Sequence, residues 1–130
     1  MARRTLYGFL IVGFALLLPS LARADVTVVR GQFTDRVEHG RAVGDAASLA
    51  NARTATYLLE LRNTAEATTV TLVWRLDGHE ARRQSLSVPH SNRWRTWGMH
   101  RIRGAHQVEV QVLDAAGHQI HTESTTLAAH

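Results

Sequence analysis

Thr69 to Val88 reads TVTLVWRLDGHEARRQSLSV, and its pattern decides the fold. Val70, Leu72, Trp74 and Leu76 alternate with Thr71, Val73 and Arg75, the period of a half-buried strand. Asp77-Gly78 follows; this dipeptide accepts the positive φ angles of a two-residue hairpin turn. His79 to Val88 then returns as the partner strand, with Leu86 and Val88 facing inward. An antiparallel pair is therefore the seed of the domain.

Working outward, the same signature recurs on both sides. Val26 to Thr34 is β-branched and partly alternating, and Thr54 to Arg62 places Tyr57, Leu59 and Leu61 on one face. Arg93 to Met99, His106 to Leu113 and Gln119 to Leu127 are the later strands, with Val108, Val110 and Val112 on one face. Between the first two strands, Asp35 to Asn51 reads as a loop with a helical turn at Asp45 to Ala50, which Asp45 caps. Seven short strands at roughly ten-residue spacing, with little helix, predict an all-β, immunoglobulin-like antiparallel β-sandwich. A small barrel is the alternative. Leu127-Ala128-Ala129-His130 are expected to be a frayed tail.

The N-terminus predicts a signal peptide over residues 1–24 and a single β-sandwich domain over 25–130. Arg3 and Arg4 form a positive start, Leu6 to Leu18 is uncharged and apolar, and Ala22-Arg23-Ala24 is a small-x-small cleavage pattern. The expected location is periplasmic or secreted. An uncleaved anchor is the alternative, although the apolar run is short of the about 20 residues a spanning helix needs. No later segment is apolar enough to span a membrane. Cysteine is absent, so the domain stands without disulfides in an oxidising compartment. Loss of Arg3, Arg4 and Arg23 with the signal would remove three of the 15 basic residues and none of the 11 acidic ones. The near-neutral remainder argues against nucleic acid as a partner.

Arg93-Trp94-Arg95-Thr96-Trp97 carries the candidate site. Strand alternation separates Trp94 from Trp97, with Trp94 joining Trp74 in the core and Arg93, Arg95 and Trp97 outside. Arg93 and Arg95 are candidates for bidentate contact with a ligand and Trp97 for stacking on it; the alternative is an Arg–Trp stack that merely covers the sheet. Gly98 is read as a bulge marker. Arg82-Arg83 and Arg101-x-Arg103 would extend a basic stripe if strands 79–88 and 93–101 pair. The eight histidines are scattered, so neither a metal site nor a cofactor is expected. No Gly-x-Ser-x-Gly, His-Glu-x-x-His or Ser-x-x-Lys motif occurs, and an enzyme is not expected.

Arg30-Gly31-Gln32-Phe33-Thr34, Tyr57 to Asn63, Thr69-Val70-Thr71, Trp74 with Asp77-Gly78, Arg93 to Trp97 and Val110 to Gly117 together resemble the bacterial family called domain of unknown function 2914. The resemblance implies an exported or envelope-associated β-sandwich module. Two departures stand out: Leu72, where the family often has His, and Gly98-Met99-His100 in place of a Ser and Lys continuation. The function expected is an exported non-catalytic binding or interaction module of the bacterial cell envelope, with an envelope protein or glycan as partner. The alternative is a purely structural subunit of an envelope assembly with no ligand of its own.

Overall fold

A computed structural model describes residues 25–127. The expected signal peptide and residues 128–130 lie outside the described residues. Seven long strands and one very short hairpin make up the fold: β1 (Val26–Thr34), β2 (Val37–Glu38), β3 (Arg41–Ala42), β4 (Thr54–Asn63), β5 (Thr68–Leu76), β6 (His79–Val88), β7 (Ser91–Arg101), β8 (Gln107–Leu113) and β9 (Gln119–Thr126). The long strands form two antiparallel sheets, ordered β1-β4-β7 and β6-β5-β8-β9. Among the long strands, the first, second and fifth make one sheet, and the third, fourth, sixth and seventh the other. This is a sandwich of immunoglobulin-like order with the fourth strand placed beside the third.

The two inner faces supply the core. Tyr57, Leu59 and Leu61 of β4 meet Val70, Leu72 and Trp74 of β5 and Val108, Val110 and Val112 of β8, all fully buried. Trp74 sits on the third long strand, where immunoglobulin domains bury a tryptophan. A 3-10 turn over Ala46–Asn51 brings Leu49 into the same core cluster. Asp45 caps that turn as expected, accepting from the Ala47 amide while Ser48 Oγ accepts from the Asp45 amide. Leu127 does not fray as expected: its amide donates to the His106 carbonyl and its side chain packs on the core, which anchors it.

Polar bridges close the two open sides of the sandwich. On the β6–β7 side, Gln84 Oε1 accepts from the buried Trp74 Nε1 at 2.8 Å, and Gln84 Nε2 donates to the Met99 carbonyl at 3.0 Å. Gly98 lies under this bridge, opposite Tyr57 in an unbroken stretch of the β4–β7 ladder. It marks no bulge. It is glycine because a Cβ would meet Gln84 Oε1 at 2.3 Å and Leu72 Cδ2 at 2.6 Å. On the β1–β9 side, the Tyr57 hydroxyl donates to Glu123 Oε1 at 2.5 Å and lies 3.0 Å from His121 Nε2. Burial, then the Glu123 hydrogen bond and charge, push the Tyr57 hydroxyl well above the ordinary phenol range, so it remains a donor.

Two further expectations are corrected. Trp94 shares the inward parity of Leu61, its partner across the ladder, but it does not join Trp74 in the core. β7 is an edge strand, and Trp94 lies at its rim, 37% exposed, with Nε1 donating to the Ser87 carbonyl. The basic stripe also fails, because β6 and β7 belong to different sheets. Arg83 instead pairs with Glu80.

The Asp77-Gly78 turn forms as expected, with φ of 50° and 87°. Asp77 Oδ1 accepts from the amides of His106 and Gln107 at 2.9 and 2.8 Å, tying the hairpin to the start of β8. The Gln107 amide first, then that of His106, hold its carboxyl below the usual carboxylate range. A depressed folded pKa adds stability that is present above the unfolded value, 3.8, and is lost as pH falls through the folded one. Asp77→Asn should therefore be less stable than the parent at neutral pH, with the gap closing below about pH 4. Denaturation midpoints at several pH values check this; a gap that stays constant with pH would contradict it.

Candidate functional site

The outer face of the three-stranded sheet is where the sequence concentrates guanidinium groups. Alternation in β4 turns Leu58 and Glu60 away from the core. Glu60 lies across the ladder from Arg95 of β7 on one side and from Arg30 of β1 on the other. Opposed residues in an antiparallel pair share a face, so the three side chains converge.

Arg30 reaches that face because of a bulge. The β1–β4 register shifts between Val28 and Arg30, leaving Val29 without a partner and 53% exposed. Unbroken alternation from Val26 would have turned Arg30 and Gln32 inward. One extra residue sends both outward and points Gly31 toward Tyr57, a re-aiming that bulges commonly perform.

The β2–β3 hairpin covers the face. Its turn, His39-Gly40, adopts φ of 54° and 73°, the positive pair of a tight hairpin. The Gly40 carbonyl accepts from Arg95 Nη1 at 3.3 Å, so the hairpin is tied to β7. Between hairpin and sheet lies a cleft of about 390 Å³, lined by Arg30, Arg41, Arg93, Arg95, Glu60, Gln32, Leu58 and the hairpin backbone.

Glu60 organises the charge. Its carboxylate, with a side chain 14% exposed, takes Arg93 Nε at 3.2 Å on one oxygen and Arg95 Nε at 3.6 Å on the other. Glu60 thus holds both guanidinium groups. Arg30 and Arg41 make no salt bridge among the described residues. Four arginines face one carboxylate in the cleft lining, an excess of positive charge.

Of the residues singled out in the sequence, Arg93 and Arg95 come together in this cleft. Trp97 does not line it. It shares the outer face, opposite Leu58, but is 40% exposed and borders a shallow groove beside Arg82, Gln84 and Met99. The ring contacts among the described residues are the edge-on pair Phe33–Tyr57 and the tilted pairs Tyr57–His121 and Trp74–His100, and none involves Trp97. Arg30, Arg41 and Glu60 belong to the cleft without having been singled out. Glu60 was legible as an outward residue of β4, whereas His39-Gly40 lacks the Asp-Gly signal of the longer hairpin although it adopts the same positive φ angles. The Val29 bulge has no such signal. Among the described residues no three His, Asp or Glu side chains gather as a metal site.

The molecule is thus an antiparallel β-sandwich with an arginine-lined cleft on its smaller sheet. A family model described as "Protein of unknown function (DUF2914)" matches residues 67–124. The chain resembles that family from just before β5 into β9. The match takes in Arg93, Arg95 and Trp97, whereas Arg30, Arg41 and Glu60 precede it. No curated protein matches the chain.

Proposed function

We propose that this protein is an exported, non-catalytic binding module of the cell envelope that holds an acidic glycan in the cleft between the β2–β3 hairpin and the outer face of β1-β4-β7. One observation carries the reading: Glu60 fixes Arg93 and Arg95 while Arg30 and Arg41 stand in the same cleft without a carboxylate partner. The cleft volume falls within the range of small-molecule sites, which favours a saccharide unit over the broad face of a protein. Export rests on the pattern of residues 1–24.

The test uses the protein recovered from an exporting host, immobilised and challenged with the acidic glycan fraction of the envelope. The parent should retain glycan, and Arg93→Ala/Arg95→Ala should retain at least about tenfold less, because two charge-assisted contacts are lost. Thermal denaturation of the variant confirms folding. Equal retention by parent and folded variant would overturn the cleft as the site. A second reading, a structural subunit without its own ligand, draws on the exposed Val29, Trp97 and Met99. It predicts no glycan retention by either protein and a change in oligomeric state when Trp97 and Met99 are replaced.

A further inference from the structure

We infer that the group recognised in the arginine cleft is a phosphomonoester carried on a sugar-sized body. This rests on the cleft being the binding site and goes further by naming the chemistry it selects. The first argument is charge. Arg30, Arg41, Arg93 and Arg95 line the cleft, and Glu60 is the only acidic side chain among its lining residues. A monocarboxylate would leave most of the excess unbalanced. A phosphomonoester brings about −1.5 to −2 charges at neutral pH and comes closest to neutralising it.

The second argument is direction. A carboxylate offers two coplanar oxygens, and Arg93 and Arg95 already have that partner in Glu60, each through Nε. The remaining donors approach from three elements: Arg30 from β1, Arg93 and Arg95 from β7, and Arg41 from the hairpin. A phosphate presents three terminal oxygens spread around one centre, which suits donors converging from separate directions.

The third argument is size and lining. A cleft of about 390 Å³ is far larger than a phosphate group. Its other walls are Leu58, Ala42 and Gln32, an apolar surface and an amide that suit a sugar ring with hydroxyl groups. Because Glu60 holds two guanidinium groups in place in advance, the ligand need not order them itself, and binding loses less conformational entropy.

The test is calorimetric titration of the full exported protein at low ionic strength with glucose 6-phosphate, glucuronate and glucose. Glucose 6-phosphate should bind, glucuronate should bind at least about tenfold more weakly, and glucose should give no heat, since only the first supplies the charge the cleft lacks. Arg30→Ala and Arg41→Ala should each weaken glucose 6-phosphate about tenfold without altering the thermal midpoint of a folded protein. Vesicles of phosphatidylcholine containing phosphatidic acid separate a membrane phosphomonoester from a sugar phosphate. They should stay unbound, because the cleft lies beneath a hairpin. Binding to these vesicles but not to glucose 6-phosphate would overturn the inference. Glucuronate matching or exceeding glucose 6-phosphate would also overturn it while leaving a glycan-binding cleft intact. If glycan retention persists in the Arg93→Ala/Arg95→Ala protein, the underlying reading fails instead.

Discussion

Replacing Gly98 with alanine is expected to destabilise the protein by about 3 kcal/mol, through overpacking and a stranded hydrogen bond. The added Cβ would sit 2.3 Å from Gln84 Oε1 and 2.6 Å from Leu72 Cδ2. Gln84 can move, because its amide is the end of a flexible chain. Moving it breaks the bond to Trp74 Nε1, and a buried indole N–H without an acceptor costs about 1–3 kcal/mol. Leu72 cannot easily yield, since it is fully buried in a close-packed interior. The entropic gain of alanine over glycine in a strand offsets only about 0.5–1 kcal/mol. For a domain of this size the thermal midpoint should fall by on the order of 15 °C. A calorimetric loss under about 1 kcal/mol, well short of the overpacking cost, would mean that the Gln84 bridge is not held as described.

Gly31→Ala should be of similar severity, about 3 kcal/mol. Here the added Cβ would sit 2.1 Å from the Tyr57 hydroxyl oxygen and 2.7 Å from its Cζ. The ring cannot swing aside. Phe33 packs edge-on against it at 4.8 Å between centroids, and Glu123 and His121 hold the hydroxyl. Tyr57→Phe alone should cost about 2 kcal/mol, because the Glu123 carboxylate loses its donor. The pair makes a diagnostic cycle. Once the hydroxyl is gone, alanine at position 31 meets a smaller obstacle, so the double variant should be more stable than the sum of the single losses predicts, by about 1 kcal/mol or more. Strict additivity would show that Gly31 is not there to admit Tyr57.

These two glycines mark the boundary of what the sequence discloses. Strand alternation placed Tyr57, Leu59, Leu61, Val70, Leu72, Trp74 and the valines of β8 on the faces where they are buried. Asp77-Gly78 and Asp45 were legible because turn and cap chemistry is local. What escaped depends on packing between distant segments. Gly98 looks like a bulge marker in one dimension and is a contact with β5 and β6 in three. Trp94 has the inward parity that alternation predicts, but parity cannot tell a central strand from an edge strand, and at the edge its ring meets solvent. The basic stripe required β6 and β7 to pair, and a hairpin-length connection is equally compatible with a crossing between sheets.

The cleft divides along the same line. Arg93 and Arg95 were legible as outward residues of one strand. Their convergence with Arg30 depends on the single bulge at Val29, and with Arg41 on a hairpin only two residues long on each side. A one-residue shift of register turns a strand inside out, so a sequence reading that misses the bulge points Arg30 into the core. Glu60 looks like one more solvated acid until its neighbours across both ladders are known to be arginines. The cleft is thus a property of register, assembled from residues far apart in the chain on the rigid surface of a sheet.

Under the proposed function the ligand is met in the arginine cleft and not in the groove beside Trp97 on the same face. The most direct measurement is the change in backbone amide resonances on titration with glucose 6-phosphate. The largest changes should fall on Arg30, Gln32, Gly40, Arg41, Glu60 and Arg95, which surround the cleft, with Trp97 and Met99 little affected. Changes centred instead on Arg82, Trp97 and Met99, or absent altogether at saturating concentration, would contradict it.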